Sequence, residues 1–481
     1  MSVTKPTADE VHPGGNGPQL EANALSLTGV IMQAATHIAP AVGMVLSVGF
    51  IGLQAGIVSP VAFAIAFVII LALGANLSEL AKHFPSAGGF FTYLSKTLGP
   101  KVGFFTAWNF FSYEPLGAAI NLAWMSATFQ TLMKEWYQTT IPWWLFYIVA
   151  TLAVGAMQLA GVKLSVKLMV ILGALEIAIM VVLGLFGLGK PGPGGFNLKA
   201  FNPANASSGN GLFLGVVFAI FAFTGFESVA PLAEETANPK RNLPRAIFYS
   251  ILAMGTYYVI VAWMLGVGWG TNDVEGLTAD ANPVFTLAER LWGSGKVLVL
   301  LAVVNSVIAV SIAANNSASR VFFAMGRAGA LPKFLGQVNP KSKAPVNAIV
   351  TQTVITLFIG LFFGFVWLKP LNTLFFFGLV ITYTLTVIYS LANVGVFWHY
   401  WTQRKAEFNV FRHGFLPLAT TVALLTVCYK SFKANPAAPF KYALPAAVGW
   451  VLLGAVVTTI SAARDKGGWL AKAGQVFGDE G

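Results

Sequence analysis

The chain has 481 residues, of which 56% are hydrophobic and only 10% are charged, and its formal net charge is +11. Soluble domains carry about 25% charged residues, so this composition excludes an ordinary soluble protein. Apolar windows of about 20 residues recur along the chain, each long enough to cross a bilayer core of about 30 Å. A β-barrel would instead show weaker, alternating segments of about ten residues. We therefore expect an all-α integral membrane protein, with its basic residues in short loops that set topology rather than bind nucleic acid.

The apolar windows predict twelve membrane spans: 25–55, 57–81, 102–133, 140–160, 168–189, 210–234, 246–270, 294–325, 345–367, 371–398, 415–432 and 441–462. The third and eighth are longer than one crossing requires, which suggests tilted helices. An even number of spans places both ends on one side. Most basic residues lie in the segments on that side, which predicts cytoplasmic tails at 1–24 and 463–481. Residues 1–24 are polar and rich in Gly and Pro, typical of a flexible tail. Tails this small favour a bacterial plasma membrane.

Two of these spans contain helix-breaking residues at corresponding positions. Pro40 follows the polar centre of span one, and Gly225 and Pro231 interrupt span six. Proline lacks an N–H and clashes with the preceding turn, and broken backbone at membrane depth survives only where it lines a cavity or is buried in protein. Two such interruptions point to a transporter binding site. The alternative is a pair of kinked helices without a ligand. The spacing favours five-plus-five inverted repeats, 25–189 and 210–398, followed by two extra helices in 415–462.

Three acidic residues, Glu114, Glu176 and Glu227, lie inside predicted spans. Lys and Arg are absent at comparable depth, so each carboxyl must be protonated, hydrogen-bonded, hydrated or matched by a cation that comes and goes. Glu114 is a candidate to bind a substrate amine. His37 could change its charge near neutral pH, although a lone histidine in a membrane helix is often only hydrogen-bonded to a neighbour.

Enzymatic and ATP-driven functions find little support in the sequence. The single cysteine, Cys428, excludes an intrachain disulfide and a thiolate metal cluster. The five histidines are scattered without metal-ligand spacing, and the chain has no GxxxxGK[ST] phosphate-binding loop. We therefore expect no catalytic residue, metal or cofactor, only H⁺ or Na⁺ as a coupling ion. A membrane-embedded enzyme and a non-transporting sensor are the disfavoured alternatives.

Three stretches resemble the amino acid–polyamine–organocation permeases: GFESVAPLAEETANPKRNLPRAI (225–247), FPSAGGFFTYLSKTLGPKVGFFTAW (84–108) and SASRVFFAMGRAGALPKFLGQVNPKSKAPVNAI (317–349). The resemblance implies the fold of the leucine-transporter type, with twelve transmembrane helices, broken helices one and six, and two extra helices. Span one departs from many members, because it carries MQAATHIAPAVG (32–43) instead of a Gly-Ser-Gly segment. That segment is closer to permeases with a proline here, including some polyamine importers.

The resemblance also implies roles by position. Free backbone N–H groups of the span-one break would meet a substrate carboxylate; these residues are Ala34, Ala35, Thr36, His37 and Ile38. Backbone carbonyls of the span-six break would meet the ammonium, with Phe221 or Phe223 capping the ligand; these residues are Phe221, Ala222, Phe223 and Thr224. Glu227 would take part in gating or protonation. Glu176 lies where the family's coupling-cation site falls, with candidate neighbours on span eight at Asn305, Ser306 and Ser311.

The function predicted from the sequence is a secondary active transporter that imports an amino acid or related amine by alternating access, coupled to protons. An importer of polyamines or other organic cations and a Na⁺-coupled amino acid symporter are the alternatives. The expected partners are a small-molecule substrate and the lipid bilayer, and no nucleic acid. Charges at the inner end of span six are expected to serve gating and topology; they are Glu234, Glu235, Lys240 and Arg241.

Overall fold

The computed structural model describes residues 19–280, 282–367, 370–434, 438–465 and 468–473. Most of the predicted N-terminal tail and the end of the C-terminal tail lie outside these residues. Within them the chain is helical and contains no β-strand, only an isolated bridge between Leu25 and Thr236. Nine helical stretches of the described residues are long and apolar enough to cross a membrane. The predicted class, an all-helical membrane protein, is therefore confirmed.

The helices of the first half are α1 (Leu27–His37), α2 (Pro40–Ala55), α3 (Ser59–His83), α4 (Phe90–Leu98), α5 (Pro100–Phe110), α6 (Glu114–Tyr137), α7 (Trp143–Leu159) and α8 (Val162–Gly189). Those of the second half are α9 (Gly209–Phe223), α10 (Pro239–Trp269), α11 (Val274–Ala279), α12 (Pro283–Trp292), α13 (Lys296–Ala328), α14 (Val346–Phe362), α15 (Pro370–Thr402), α16 (Leu416–Ala434), α17 (Ala443–Ala463) and α18 (Trp469–Lys472). A 3₁₀-helix spans Phe226–Glu235, and π-helical turns span Phe363–Trp367 and Val410–Phe415.

The nine stretches do not map one to one onto the twelve predicted spans. Leu27–His83 has 57 residues, more than one crossing of about 20 residues needs, and it contains the predicted spans one and two. The third predicted span is not one long helix, because α5 ends at Phe110 and α6 begins at Glu114. The fourth falls on α7, an apolar helix of 17 residues.

The first break lies between α1 and α2. Ala39 adopts the left-handed region, with φ 60° and ψ 73°, which costs a residue with a Cβ roughly 1–2 kcal/mol. Pro40 then begins α2, where its missing N–H is not needed and its fixed φ suits the first turn. A single residue therefore turns the chain between two helices, and tertiary contacts must hold Ala39 in place.

The second break lies between α9 and the 3₁₀-helix. Thr224 is extended, and Gly225 has φ 121°, a conformation that L side chains rarely adopt. A Cβ on Gly225 would stand 2.7 Å from the His37 carbonyl carbon. The glycine is required both by its backbone angle and by this approach, which brings the two breaks into contact.

The two halves of the chain pack against each other around these breaks. Extensive contacts join α3 to α10, α2 to α9, and α6 to both α13 and α15. Large apolar side chains cover the exposed faces of α7, α14, α16 and α17. Helices with apolar outer faces suit a lipid environment, whereas the predicted intramembrane acids are all buried.

Candidate functional site

A cavity lies beside both breaks, between α2, α6, α9, α13 and α15. About 710 Å³ in and around it is free of protein atoms, including the part open to solvent. Its walls are mainly apolar and aromatic. The polar side chains among its lining residues are those of His37, Ser47, Tyr113, Asn121 and Thr224.

Part of the predicted substrate site lines this cavity, namely His37, Ile38, Phe221, Ala222 and Thr224. The other predicted residues have different positions. Ala34, Ala35 and Thr36 lie inside α1, where Thr36 donates its hydroxyl to the Met32 carbonyl at 2.7 Å. Phe223 is fully buried, and its ring packs against Phe67 and Tyr258. Of the two candidate capping rings, only Phe221 therefore faces the cavity.

The free N–H groups of the first break are not where the sequence placed them. Because α1 continues to His37, Ile38 donates its N–H to the Ala34 carbonyl at 3.0 Å, and Ala39 donates to Thr36 at 3.1 Å. The N–H groups released by the break belong instead to the first turn of α2, at Ala41 and Val42. The predicted segment thus lies one turn too early in the chain.

Two side chains from other helices occupy these N–H groups. Ala41 donates to the Glu176 carboxylate at 3.1 Å, and Val42 donates to the Ser306 hydroxyl at 3.3 Å. Asn305 donates its side-chain amide to the carbonyl of Leu172, one turn before Glu176 on α8, at 2.8 Å. Of the predicted neighbours of Glu176, Ser306 and Asn305 therefore lie close to it in the structure.

Ser311 is the exception among the predicted neighbours of Glu176. Its hydroxyl donates to the Val307 carbonyl of its own helix at 2.7 Å. That bond satisfies the hydroxyl within α13, as is common for serine in a buried helix.

The carbonyl groups released by the breaks are also occupied. The Tyr258 hydroxyl lies 2.5 Å from the Ile38 carbonyl and 3.2 Å from those of Ala39 and Ala222. The Phe221 carbonyl accepts both the N–H and the hydroxyl of Thr224. Two of the four carbonyls assigned to a substrate ammonium therefore already have protein partners. The chemical reason is that a buried carbonyl without a partner is costly.

His37 and Glu114 form a polar pair beside the cavity. His37 Nε2 lies 3.4 Å from Glu114 Oε2, and the His37 ring stacks on Tyr113 at 5.9 Å between centroids. Glu114 is fully buried, and neither of its oxygens has a hydrogen-bond partner of standard geometry among the described residues. His37 lines the cavity and Glu114 does not, so His37 is the member of the pair that a solute in the cavity would contact.

Glu227 lies at the second break. Its carboxylate accepts the Gly225 N–H at 3.1 Å and the Tyr389 hydroxyl at 2.6 Å. It therefore caps the first turn of the 3₁₀-helix and ties it to α15, and it is not among the residues that line the cavity.

Two ion pairs, which the sequence reasoning missed, join the 3₁₀-helix of the second break to α13; the first is buried, and in the second the arginine is partly exposed. Arg320 on α13 binds Glu235 through two nitrogens, at 2.8 and 3.0 Å, and Arg327 binds Glu234 at 2.5 and 2.9 Å. The sequence predicts Glu234 and Glu235 as gate charges, but it does not identify their arginine partners. Their spacing of seven residues, which puts both on one face of a helix, was the available signal.

Comparisons with known proteins agree with this architecture. The chain is 28% identical over 417 residues to the low-affinity putrescine importer PlaP of Escherichia coli K12, covering 84% of this chain and 88% of the relative. It is 27% identical to the branched-chain amino acid permease BcaP of Bacillus subtilis, covering 60% of this chain and 64% of the relative. It is 26% identical to the histidine permease HisP of Lactococcus lactis, covering 58% and 60% respectively.

All three relatives are named as an importer or a permease, which confirms the predicted transport class and argues against an enzyme. The family described as amino acid permease matches residues 23–462, nearly the whole chain. Together with its apolar helices, this match makes the chain a multi-pass membrane protein. The chain belongs to the amino acid permease family.

Proposed function

We propose that this chain is a secondary active importer of an amino acid or related amine, working by alternating access in a bacterial plasma membrane. The observation that carries the proposal is the contact of two broken helices, Gly225 against His37, at the edge of a largely apolar cavity with a few polar side chains. Broken helices that face each other near the bilayer midplane are typical binding sites of secondary transporters. Permeases of amino acids and of putrescine among the relatives support this substrate class.

We further propose twelve spans in two inverted repeats of five, with two additional helices and both tails in the cytoplasm. Each repeat would begin with a broken segment, α1–α2 in the first and α9 with the 3₁₀-helix in the second. A long helix follows each broken segment, and these two helices, α3 and α10, pack against each other. The concentration of basic residues in the predicted inner segments of the sequence supports cytoplasmic tails.

The ion pairs support alternating access. The Leu25 N–H donates to the Glu235 carbonyl at 2.9 Å, and the Ala237 N–H donates back to Leu25 at 2.9 Å. Together with the pairs to Arg320 and Arg327, this bridge closes the side on which α1 begins. The cavity extends the other way, along α2 and α9. Release of the substrate on the α1 side would require these contacts to separate.

Proton coupling through Glu176 is the proposed energy source, with Na⁺ as the alternative ion. The Glu176 carboxylate holds the first turn of α2 through Ala41. Addition of a proton changes both its charge and its capacity to accept that N–H. Protonation of Glu176 would thus weaken or break its hydrogen bond to Ala41, the contact between α8 and the start of α2. This change would link proton binding to the conformational change.

Uptake into proteoliposomes tests the proposal. We expect accumulation of a labelled amine or amino acid above equilibrium when an inward proton gradient is imposed, and collapse of that accumulation when an ionophore dissipates the gradient. Accumulation that follows a Na⁺ gradient instead would replace the proposed ion. No saturable uptake of any amine or amino acid in a broad panel would contradict the proposal.

A further inference from the structure

We infer that the binding site selects amines that lack a carboxylate, because Glu176 and Ser306 already occupy the backbone N–H groups at the start of α2 that a substrate carboxylate would need. This inference rests on the proposed transport function and specifies its substrate class. The family match permits both amines and amino acids as substrates, and the inference chooses the amines.

The first argument is the occupancy of the α2 N-terminus. A helix N-terminus attracts anions through its unpaired N–H groups and its dipole. Pro40 has no N–H, Ala41 donates to Glu176, and Val42 donates to Ser306. Gly43 donates to the Ala39 carbonyl at 2.7 Å. The first turn of α2 therefore offers no unpaired N–H to a solute. The carboxylate that it binds is the protein's own, that of Glu176.

The second argument is the charge of the cavity wall. Among the described residues that line the cavity there is no lysine or arginine, so a bound carboxylate would have no cationic partner. A carboxylate buried without a partner is strongly unfavourable. The substrate's anionic group would thus have neither free N–H groups nor a positive charge, and would depend on neutral donors such as the Tyr113 hydroxyl to offset its loss of water.

The third argument is the polarity of the His37–Glu114 pair. His37 Nε2 faces the Glu114 carboxylate at 3.4 Å, while His37 Nδ1 is buried and has no hydrogen-bond partner among the described residues. With the imidazole proton on Nε2, Nδ1 is a free acceptor. An ammonium group in the cavity would find a hydrogen-bond acceptor at Nδ1, whereas a carboxylate would find no donor there. The pair therefore suits an amino group better than a carboxylate.

The remaining walls suit the body of an organic amine. The rings of Phe218, Phe221 and Phe375 line the cavity, and aromatic faces attract cations and cover apolar chains. The lining residues on α2 run from Val42 to Ser47, a rise of roughly 8 Å at 1.5 Å per residue. A chain of four or five carbons attached to the ammonium fits along this wall.

Matched pairs that differ only by a carboxylate test the inference. Putrescine with ornithine, cadaverine with lysine, and phenethylamine with phenylalanine are compared in proteoliposomes as competitors of the best labelled substrate. We expect at least one amine to compete at a concentration tenfold or more below that of its parent amino acid. Equal or stronger competition by the amino acids in all pairs would overturn the inference and leave the transport function standing. Failure of every compound to enter or compete would overturn both.

A pair of variants tests the assigned cause. Glu176→Ala removes the acceptor from Ala41, so we expect the preference for the amine over its amino acid to fall at least tenfold. Glu176→Gln retains a side-chain oxygen that can accept the Ala41 N–H, so we expect the preference to persist. If the preference is equal in both variants and in the unmodified protein, Glu176 is not its cause. The comparison of pairs in the unmodified protein decides the inference even if Glu176→Ala fails to fold.

Discussion

Gly225 lies so close to His37 that a Cβ on the glycine would stand 2.7 Å from the carbonyl carbon of the histidine. This contact joins the two broken segments, which are far apart in the sequence. It also explains why a glycine, and no other residue, follows Thr224. The backbone angle of Gly225 disfavours any residue with a side chain, and the close approach of the His37 backbone leaves no room for one.

Replacement of this glycine should therefore damage both folding and transport. In Gly225→Ala, a sparsely populated backbone angle costs about 1–3 kcal/mol, and the new methyl group collides with the His37 backbone. We expect a lower melting temperature of the purified protein and loss of most uptake. Gly266→Ala is the matched control, because a Cβ at that position on α10 meets no atom within 4 Å. Unchanged melting and uptake in Gly225→Ala would contradict the proposed contact.

The buried ion pair between Arg320 and Glu235 should stabilise the closed side of the site. Removal of one partner leaves an uncompensated buried charge, which costs about 3–5 kcal/mol, so Arg320→Gln should lower the melting temperature clearly. In the double variant with Glu235→Gln, part of that stability should return, because no unpaired charge remains.

The pair of Arg404 and Glu407 provides the control, since their side chains are 37% and 50% exposed. Exposed pairs contribute about 0–1 kcal/mol, and Glu407→Gln, which leaves the contact of Arg404 with His83 in place, should therefore have little effect on melting. A loss in Glu407→Gln as large as that in Arg320→Gln would show that burial of the pair is not the cause.

Glu176→Gln should separate coupled accumulation from exchange. Glutamine keeps an oxygen for the Ala41 N–H but cannot bind or release a proton. We expect gradient-driven accumulation to fall tenfold or more, while exchange of internal for external substrate without a gradient changes less than threefold. Equal loss of both activities would indicate a structural role for Glu176, and full retention of both would remove it from the coupling mechanism.

The two phenylalanines at the end of α9 should respond differently to truncation. Phe223 is fully buried between α3 and α10, and Phe223→Ala should cost about 3–5 kcal/mol of stability. Phe221 lines the cavity next to Gly378 on α15, so Phe221→Ala should raise the KM for uptake with a smaller change in melting temperature. The opposite pattern would mean that the wrong ring has been assigned to the substrate.

Sequence patterns predict which segments form the breaks better than they predict the hydrogen bonds made there. Pro40, Gly225 and Pro231 identify the broken segments, because proline and glycine act on the backbone regardless of tertiary context. The length and hydropathy of the apolar windows likewise identify the helices. The predicted acids are buried inside the protein as expected, since an acid within an apolar window would otherwise face the lipid, which is unfavourable.

The hydrogen-bond partners of the two breaks could not be predicted from the sequence. Proline at the first turn of α2 does not reveal that α1 continues to His37, and this shift moves the free N–H groups to Ala41 and Val42. Tyr258 and Glu176 reach the breaks from helices distant in sequence, so no local pattern records those contacts. The same holds for the pairing of Arg320 with Glu235, which depends on the packing of α13 against the 3₁₀-helix.

A structure of the protein in lipid nanodiscs, saturated with the solute that it transports, tests the central claim most directly. We expect density for the solute in the cavity beside the two breaks, with its amino group close to His37 and its body against Phe221. Density for the solute at a position away from both breaks, with this cavity filled only by lipid or water, would contradict the account.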